Sequence, residues 1–116
     1  NKDSEMQEFI QPLKVAIDDL AALTQHLLAK SQEDANELGA AANDYLHVFG
    51  YTAMAYIWAR MAKIAIDKQD SSDDFYQSKL QTARYFFTRI LPRRNSLIET
   101  AKSGADILFD INDELF

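Results

Sequence analysis

The stretch Asn43–Ile66, NDYLHVFGYTAMAYIWARMAKIAI, constrains this chain more than any other. From Tyr45 to Ile66 only His47, Gly50, Thr52, Arg60 and Lys63 interrupt a run of apolar and aromatic side chains. The run holds no proline and is far longer than an ordinary strand, so it predicts a helix. At about 100° per residue, one arc of that helix holds Leu46, Phe49, Ala53, Met54, Ile57, Met61 and Ile64. A second arc holds Val48, Tyr51, Ala55, Trp58, Ala62 and Ile66, and a narrow polar edge holds Thr52, Tyr56, Arg60, Lys63 and Asp67. A helix that is apolar nearly all round is buried on more than one side. This one is therefore expected in the middle of a helical bundle, with neighbours on two flanks. His47, Arg60 and Lys63, and aromatic residues that are scattered rather than banded at two ends, argue against a membrane span.

The totals narrow the class. A length of 116 residues suits one domain with one core. Hydrophobic residues at 47% and charged residues at 26% are ordinary for a globular fold and argue against disorder. Three glycines and two prolines leave little turn material, which implies few, long elements. A net charge of −6 argues against a general nucleic-acid binder and offers nothing to an anionic membrane surface. The absence of cysteine removes disulfides, thiolate zinc sites and cysteine nucleophiles, and fits a reducing, cytoplasmic compartment. The opening NKDSEMQEF shows no basic region leading into an apolar stretch, so no secretion signal is visible. A start without methionine, on a charged and helix-like segment, suggests a processed product or a piece of something longer.

A first helix is predicted from about Ser4 to Lys30. Met6, Leu13, Leu20 and Leu27 recur at heptad spacing, Phe9, Ala16 and Leu23 fill the intermediate positions, and Ile10 and Ile17 lie beside them. Pro12 predicts either a kink or a true start near Gln11. The short polar run Ser31–Asn36 reads as the first connection and Asp70–Asp74 as the second, with the long helix from Glu37 to Lys68 between them. Gly39 and Gly50 each cost roughly 1 kcal/mol of helix propensity, for which a packing reason is expected rather than a break. Ser71 or Ser72 is expected to cap the third helix. That helix shows Tyr76, Leu80, Ala83, Phe87, Ile90, Leu91, Leu97, Ile98 and Ala101 on one side. Pro92 must bend it or split off a fourth helix from about Arg93 to Lys102, which Ser103-Gly104 ends. The last segment, ADILFDINDELF, finishes apolar through Leu115 and Phe116 and is not expected to float free. The fold expected is all-α: an antiparallel up-down bundle of three long helices, the third kinked or split at Pro92.

No catalytic constellation emerges. His26 and His47 are single and on different helices, and no zinc-protease, nucleophile-elbow, phosphate-loop or dinucleotide glycine pattern occurs. Asp67, Asp70, Asp73 and Asp74 invite a calcium reading, but the central glycine and closing glutamate are missing, and a solvated capping loop is the better account. A bundle metal site would need inward Glu-x-x-His pairs, which the chain lacks. The basic cluster Arg84, Arg89, Arg93 and Arg94 places Arg89 and Arg93 one turn apart, where they could clamp a phosphate; a solvated face is the bland alternative. His47, Tyr51 and Trp58 project from one side of the central helix. They read as an interface anchor before a cofactor wall, since Tyr and Trp bring large area and one polar handle.

Three segments, Asn43–Ala65, Asp74–Pro92 (DFYQSKLQTARYFFTRILP) and Ser103–Phe109 (SGADILF), resemble in order and spacing the extra C-terminal helical domain of a group of bacterial acyl-CoA dehydrogenases. The resemblance covers nearly the whole chain. It departs after Ile90-Leu91-Pro92, where Arg93-Arg94 stand in place of an expected acidic residue. It implies a parent flavoenzyme that binds FAD and removes hydrogens from the α and β carbons of an acyl-CoA thioester. The base and the flavin-binding residues of that family lie in upstream domains, so no catalytic, cofactor-binding or metal residue is carried onto this sequence. The implied role is architectural: packing against the upstream catalytic domains of the same polypeptide, or supporting a homo-oligomer. A free-standing helical interaction module is the alternative.

Overall fold

A computed structural model describes residues 2–71 and 73–115, and among them the backbone is helical, with no strand. A short α1 (Lys2–Glu5) passes through Met6 into α2 (Gln7–Glu33). Only Asp34 and Ala35 separate α2 from the long α3 (Asn36–Asp67). Then come α4 (Asp74–Tyr85), a π turn (Phe86–Ile90), a 3-10 turn (Leu91–Arg93) and α5 (Arg94–Ala101). α6 (Asp106–Phe109) and a last 3-10 turn (Asp113–Leu115) close the described chain. Two helices, α2 and α3, are long. The third arm is not one long helix but a succession of short ones.

The heptad stripe of α2 does what its spacing implies: Phe9, Ala16, Leu23 and Leu27 are buried. Pro12 neither starts nor ends the helix and lies inside it, where it removes one backbone hydrogen bond. The helix also runs past the expected connection, so the turn shrinks from Ser31–Asn36 to Asp34 and Ala35. Asp34 turns the chain with an extended backbone (φ −151°, ψ 117°), and its Oδ1 accepts the Asn36 N–H at 2.9 Å. That carboxylate satisfies one of the orphan donors at the start of α3.

α3 continues unbroken through Gly50. Thr52, expected on a polar edge, is buried instead. Its Oγ1 donates to the Val48 carbonyl at 2.9 Å, so the hydroxyl is satisfied by its own helix and costs the core little.

α4 is capped by Asp73, whose Oδ1 accepts the Phe75 N–H at 2.9 Å. Ser71 acts one step earlier, its Oγ accepting the Asp73 N–H at 3.1 Å. The alternative cap, Ser72, and the terminal Phe116 lie outside the described residues. Pro92 cannot supply an N–H to the preceding turn. The backbone adapts by widening, with the Leu91 N–H reaching the Phe86 carbonyl, and then tightening into the 3-10 turn. The helix is thus re-wound rather than broken into a loop. Gly104, at φ +90°, stops the arm in the left-handed conformation glycine tolerates.

Residues remote in sequence meet in reversed order between the α1–α2 arm and the α3 arm. Lys2 Nζ donates to the Asp67 carbonyl (3.4 Å), Gln69 Nε2 to Glu5 Oε2 (3.0 Å), and the Thr24 and Tyr45 hydroxyls are 2.8 Å apart. Two buried clusters fill the interior. The larger is aromatic, built on Phe9, Phe86, Phe87, Leu80 and Leu91 against the alanines of α3, with the Phe9 and Phe87 rings 5.7 Å apart. The smaller joins Leu23, Leu27, Ala41, Val48 and Ala101. The Cα envelope is 65 × 31 × 15 Å, so the core is long and thin.

Candidate interface

α2, α4 and α5 all pack on α3. What α3 buries is mostly small: Ala41, Ala55, Ala59, Ala62 and Ala65, with Val48, Thr52 and Ile66. What it leaves exposed is large. Leu46 is 66% exposed, Ile64 55%, Ile57 54% and Phe49 52%. The expectation of burial on two flanks therefore holds for the arc of Val48, Ala55, Ala62 and Ile66 and fails for the arc of Leu46, Phe49, Ile57 and Ile64. Tight packing against alanines uses one half of the helix surface, and no further element of the described chain covers the other.

Exposed apolar side chains also stand on α2 at Ile10, Ile17 and Leu28, and Leu28 lines a groove with Leu46 and Phe49 of α3. Toward the α2–α3 turn, Leu27, Leu28, Leu38, Ala42, Leu46 and Phe49 line this open groove of about 650 Å³. Its polar groups, the Thr24 and Tyr45 hydroxyls, bond each other. Such a donor set does not fit FAD: the groove presents no cation and no glycine-rich turn to a pyrophosphate.

The residues singled out in the sequence differ in burial. His47 is exposed, with Nδ1 2.8 Å from the Asn43 carbonyl oxygen. Tyr51 and Trp58 are half-buried against the aromatic cluster, and Trp58 stacks on Phe86 at 6.4 Å and 25°. Arg89 and Arg93 are both exposed and line neither the α2–α3 groove nor the small cavity beside Arg94. The acidic run serves local structure: Asp67 pairs with Lys63 at 3.6 Å, and Asp73 is the α4 cap. The carboxylates that do converge are Asp34, Glu37 and Asp106, none of them buried.

No motif or spacing in the sequence marks two cross-links between α2 and the third arm. Arg84 is bidentate on Glu8, with Nη2 2.8 Å and Nε 3.0 Å from the carboxylate oxygens. That hydrogen bond raises the guanidinium pKa above its usual value; desolvation opposes it, and the Coulombic attraction of Glu8 adds a smaller contribution in the same direction as the hydrogen bond. Arg94 Nη1 is 2.7 Å from Asp19 Oδ2, and the Arg94 side chain is buried. Its Nε has no hydrogen-bond partner and sits near a cavity of about 250 Å³ lined by Pro12, Phe87 and Pro92. Nothing in the run Arg93-Arg94 marks one arginine as solvated and its neighbour as part of the core. Only the three-dimensional fold separates them.

These features define a class: an all-helical domain whose outstanding external feature is apolar surface. A family model described as Acetyl-CoA dehydrogenase C-terminal like matches residues 1–112, and the chain belongs to this family. No curated protein matches it. Among the described residues, no helix is long and apolar enough to cross a membrane.

Proposed function

We propose that this chain is the accessory C-terminal domain of an FAD-dependent acyl-CoA dehydrogenase, with a structural or subunit-association role and no catalytic residue of its own. FAD and the acyl-CoA substrate are then held by upstream domains of the same polypeptide, in the cytoplasm. The observation that carries this reading is the outward face of α3, large and apolar on a chain of this family. In this reading the three arms form an up-down antiparallel bundle whose stiffness holds that face in shape. The exposed parts of His47, Tyr51 and Trp58 border the association surface. Any contact with CoA phosphates is assigned to Arg89 and Arg93.

The test is to produce the polypeptide with its upstream domains, with and without this domain. We expect flavin content and dehydrogenase chemistry to follow the upstream part, and assembly state or melting temperature to change on deletion. A yellow preparation of the 116-residue chain alone would overturn the division of labour. Titration of CoA against Arg89→Ala and Arg93→Ala with no loss of binding would remove those two residues. A free-standing interaction module would use the same apolar face, and a gene ending immediately upstream would favour it.

A further inference from the structure

We propose that the outward face of α3 is the contact surface of a homodimer, with two copies of α3 crossing antiparallel about a two-fold axis near Gly50 and Ala53. The proposal rests on the association role argued above and names its partner: a second copy of this chain.

Area is the first argument. Leu28, Leu38, Leu46, Phe49, Ile57 and Ile64 are each 44–66% exposed, and Ile10, Ile17 and Tyr56 are exposed as well. The groove joins Leu28, Leu38, Leu46 and Phe49, and helical spacing sets Ile10 and Ile17 on the Leu28 face of α2 and Ile57 and Ile64 on the Leu46 face of α3. At roughly half of a large side chain's area each, they offer on the order of 800 Å². That exceeds the ~300–600 Å² of the largest patch on an ordinary monomer and equals one partner's share of a standard interface.

Charge is the second argument. The chain carries a net charge of −6, yet no Asp or Glu lies between Tyr45 and Ile66. Two copies meeting there keep their carboxylates apart. The antiparallel sense also matters. An axis between Gly50 and Ala53 brings Arg60 of one copy toward Asn43 of the other, whereas a parallel crossing would set Arg60 against its own image.

The glycine fixes the crossing point. A Cβ on Gly50 would meet nothing within 4 Å beyond its own helix, so this fold does not require the residue. It lies near the midpoint of the exposed stripe from Leu38 to Ile64. With Ala53 one turn on, it forms a shallow point between Phe49 and Ile57, where a second backbone can approach to about 8–10 Å. A two-fold interface there is self-complementary, with Leu46 of one copy against Ile57 of the other.

The chain has no cysteine, which makes the geometry directly testable. Under mild oxidation Ala53→Cys should form a disulfide-linked dimer. Leu46→Cys and Ile57→Cys should each remain unlinked alone and link when mixed. Sedimentation should show a dimer that Gly50→Leu returns to monomer without lowering the melting temperature measured at high dilution. Self-linking of Leu46→Cys, equal to that of Ala53→Cys, would overturn the antiparallel crossing. A wild-type chain that stays monomeric at hundreds of micromolar, with Ala53→Cys unlinked, would overturn the dimer. That outcome leaves the accessory-domain reading standing, because deletion from the longer polypeptide tests that reading separately.

Discussion

Along its inner side α3 presents Ala41, Ala55, Ala59, Ala62 and Ala65; along its outer side it presents Leu46, Phe49, Ile57 and Ile64. Isolated soluble helices are normally built the other way, with large side chains inward. The inner side works because the bulk comes from the neighbours. Phe9 and Leu23 of α2, Leu80 of α4 and Phe86, Phe87 and Leu91 around the π turn fill the space that the alanines leave. Small residues let those rings and branches close onto the α3 backbone, and alanine adds the best helix propensity. The contrast separates two sides of one helix: the alanine side holds the helices together, and the large side stays exposed.

The largest expected effect comes from emptying the inner side. Phe9 is 1% exposed and its ring packs tilted against Phe87, centroids 5.7 Å apart. Phe9→Ala should cost about 3–5 kcal/mol in urea unfolding, through lost transfer energy and the cavity left behind. Overfilling the same side is the next test. Ala62 is fully buried, so Ala62→Leu should cost about 1–3 kcal/mol. A neutral result would mean that the alanine side is loosely packed, and the contrast between the two sides would lose its basis.

Gly50 should behave in the opposite direction. Its missing side chain relieves no clash within the fold. Gly50→Ala should therefore raise monomer stability by about 0.5–1 kcal/mol, from backbone entropy alone. A destabilised Gly50→Ala monomer would show that the outer side is constrained within a single copy.

Much of the framework was legible in the sequence because it depends on local rules. The heptads of α2, the acidic connections, the disruption at Pro92 and the stop at Gly104 all follow from spacing and turn chemistry. The family was legible as well, from three segments in the right order. The orientation of α3 was not. Apolar residues surround that helix, so periodicity gives it no preferred inward direction. Which arc is buried is decided by the neighbours' bulk, and Phe86, absent from the predicted stripe, is buried at the first position of the π turn. Thr52 reads as polar until its hydroxyl is seen bonded to Val48, and Arg94 reads as solvated until Asp19 is found beside it. The groove between α2 and α3 is likewise a product of tertiary packing, since Leu28 and Leu46 are far apart in sequence.

The smallest effect gives the sharpest comparison, because it uses one substitution at two places on one helix. Ile66 is 2% exposed on the inner side, and Ile57 is 54% exposed on the outer. Ile66→Ala removes a filled volume from the core and should cost about 2–5 kcal/mol. Ile57→Ala loses only partial contacts, and it gains a few tenths of a kcal/mol because a β-branched residue gives way to the best helix former. Its effect on the monomer should stay within about 0.5 kcal/mol, as for other surface changes. The two melts must be taken at high dilution, where each copy stands alone. Repeated at high concentration, Ile57→Ala should lose the added stability that association gives the parent chain, while the Ile66→Ala deficit remains at both. Equal losses for the two variants at high dilution would place Ile57 in the chain's own core and remove the distinction between the two sides of α3.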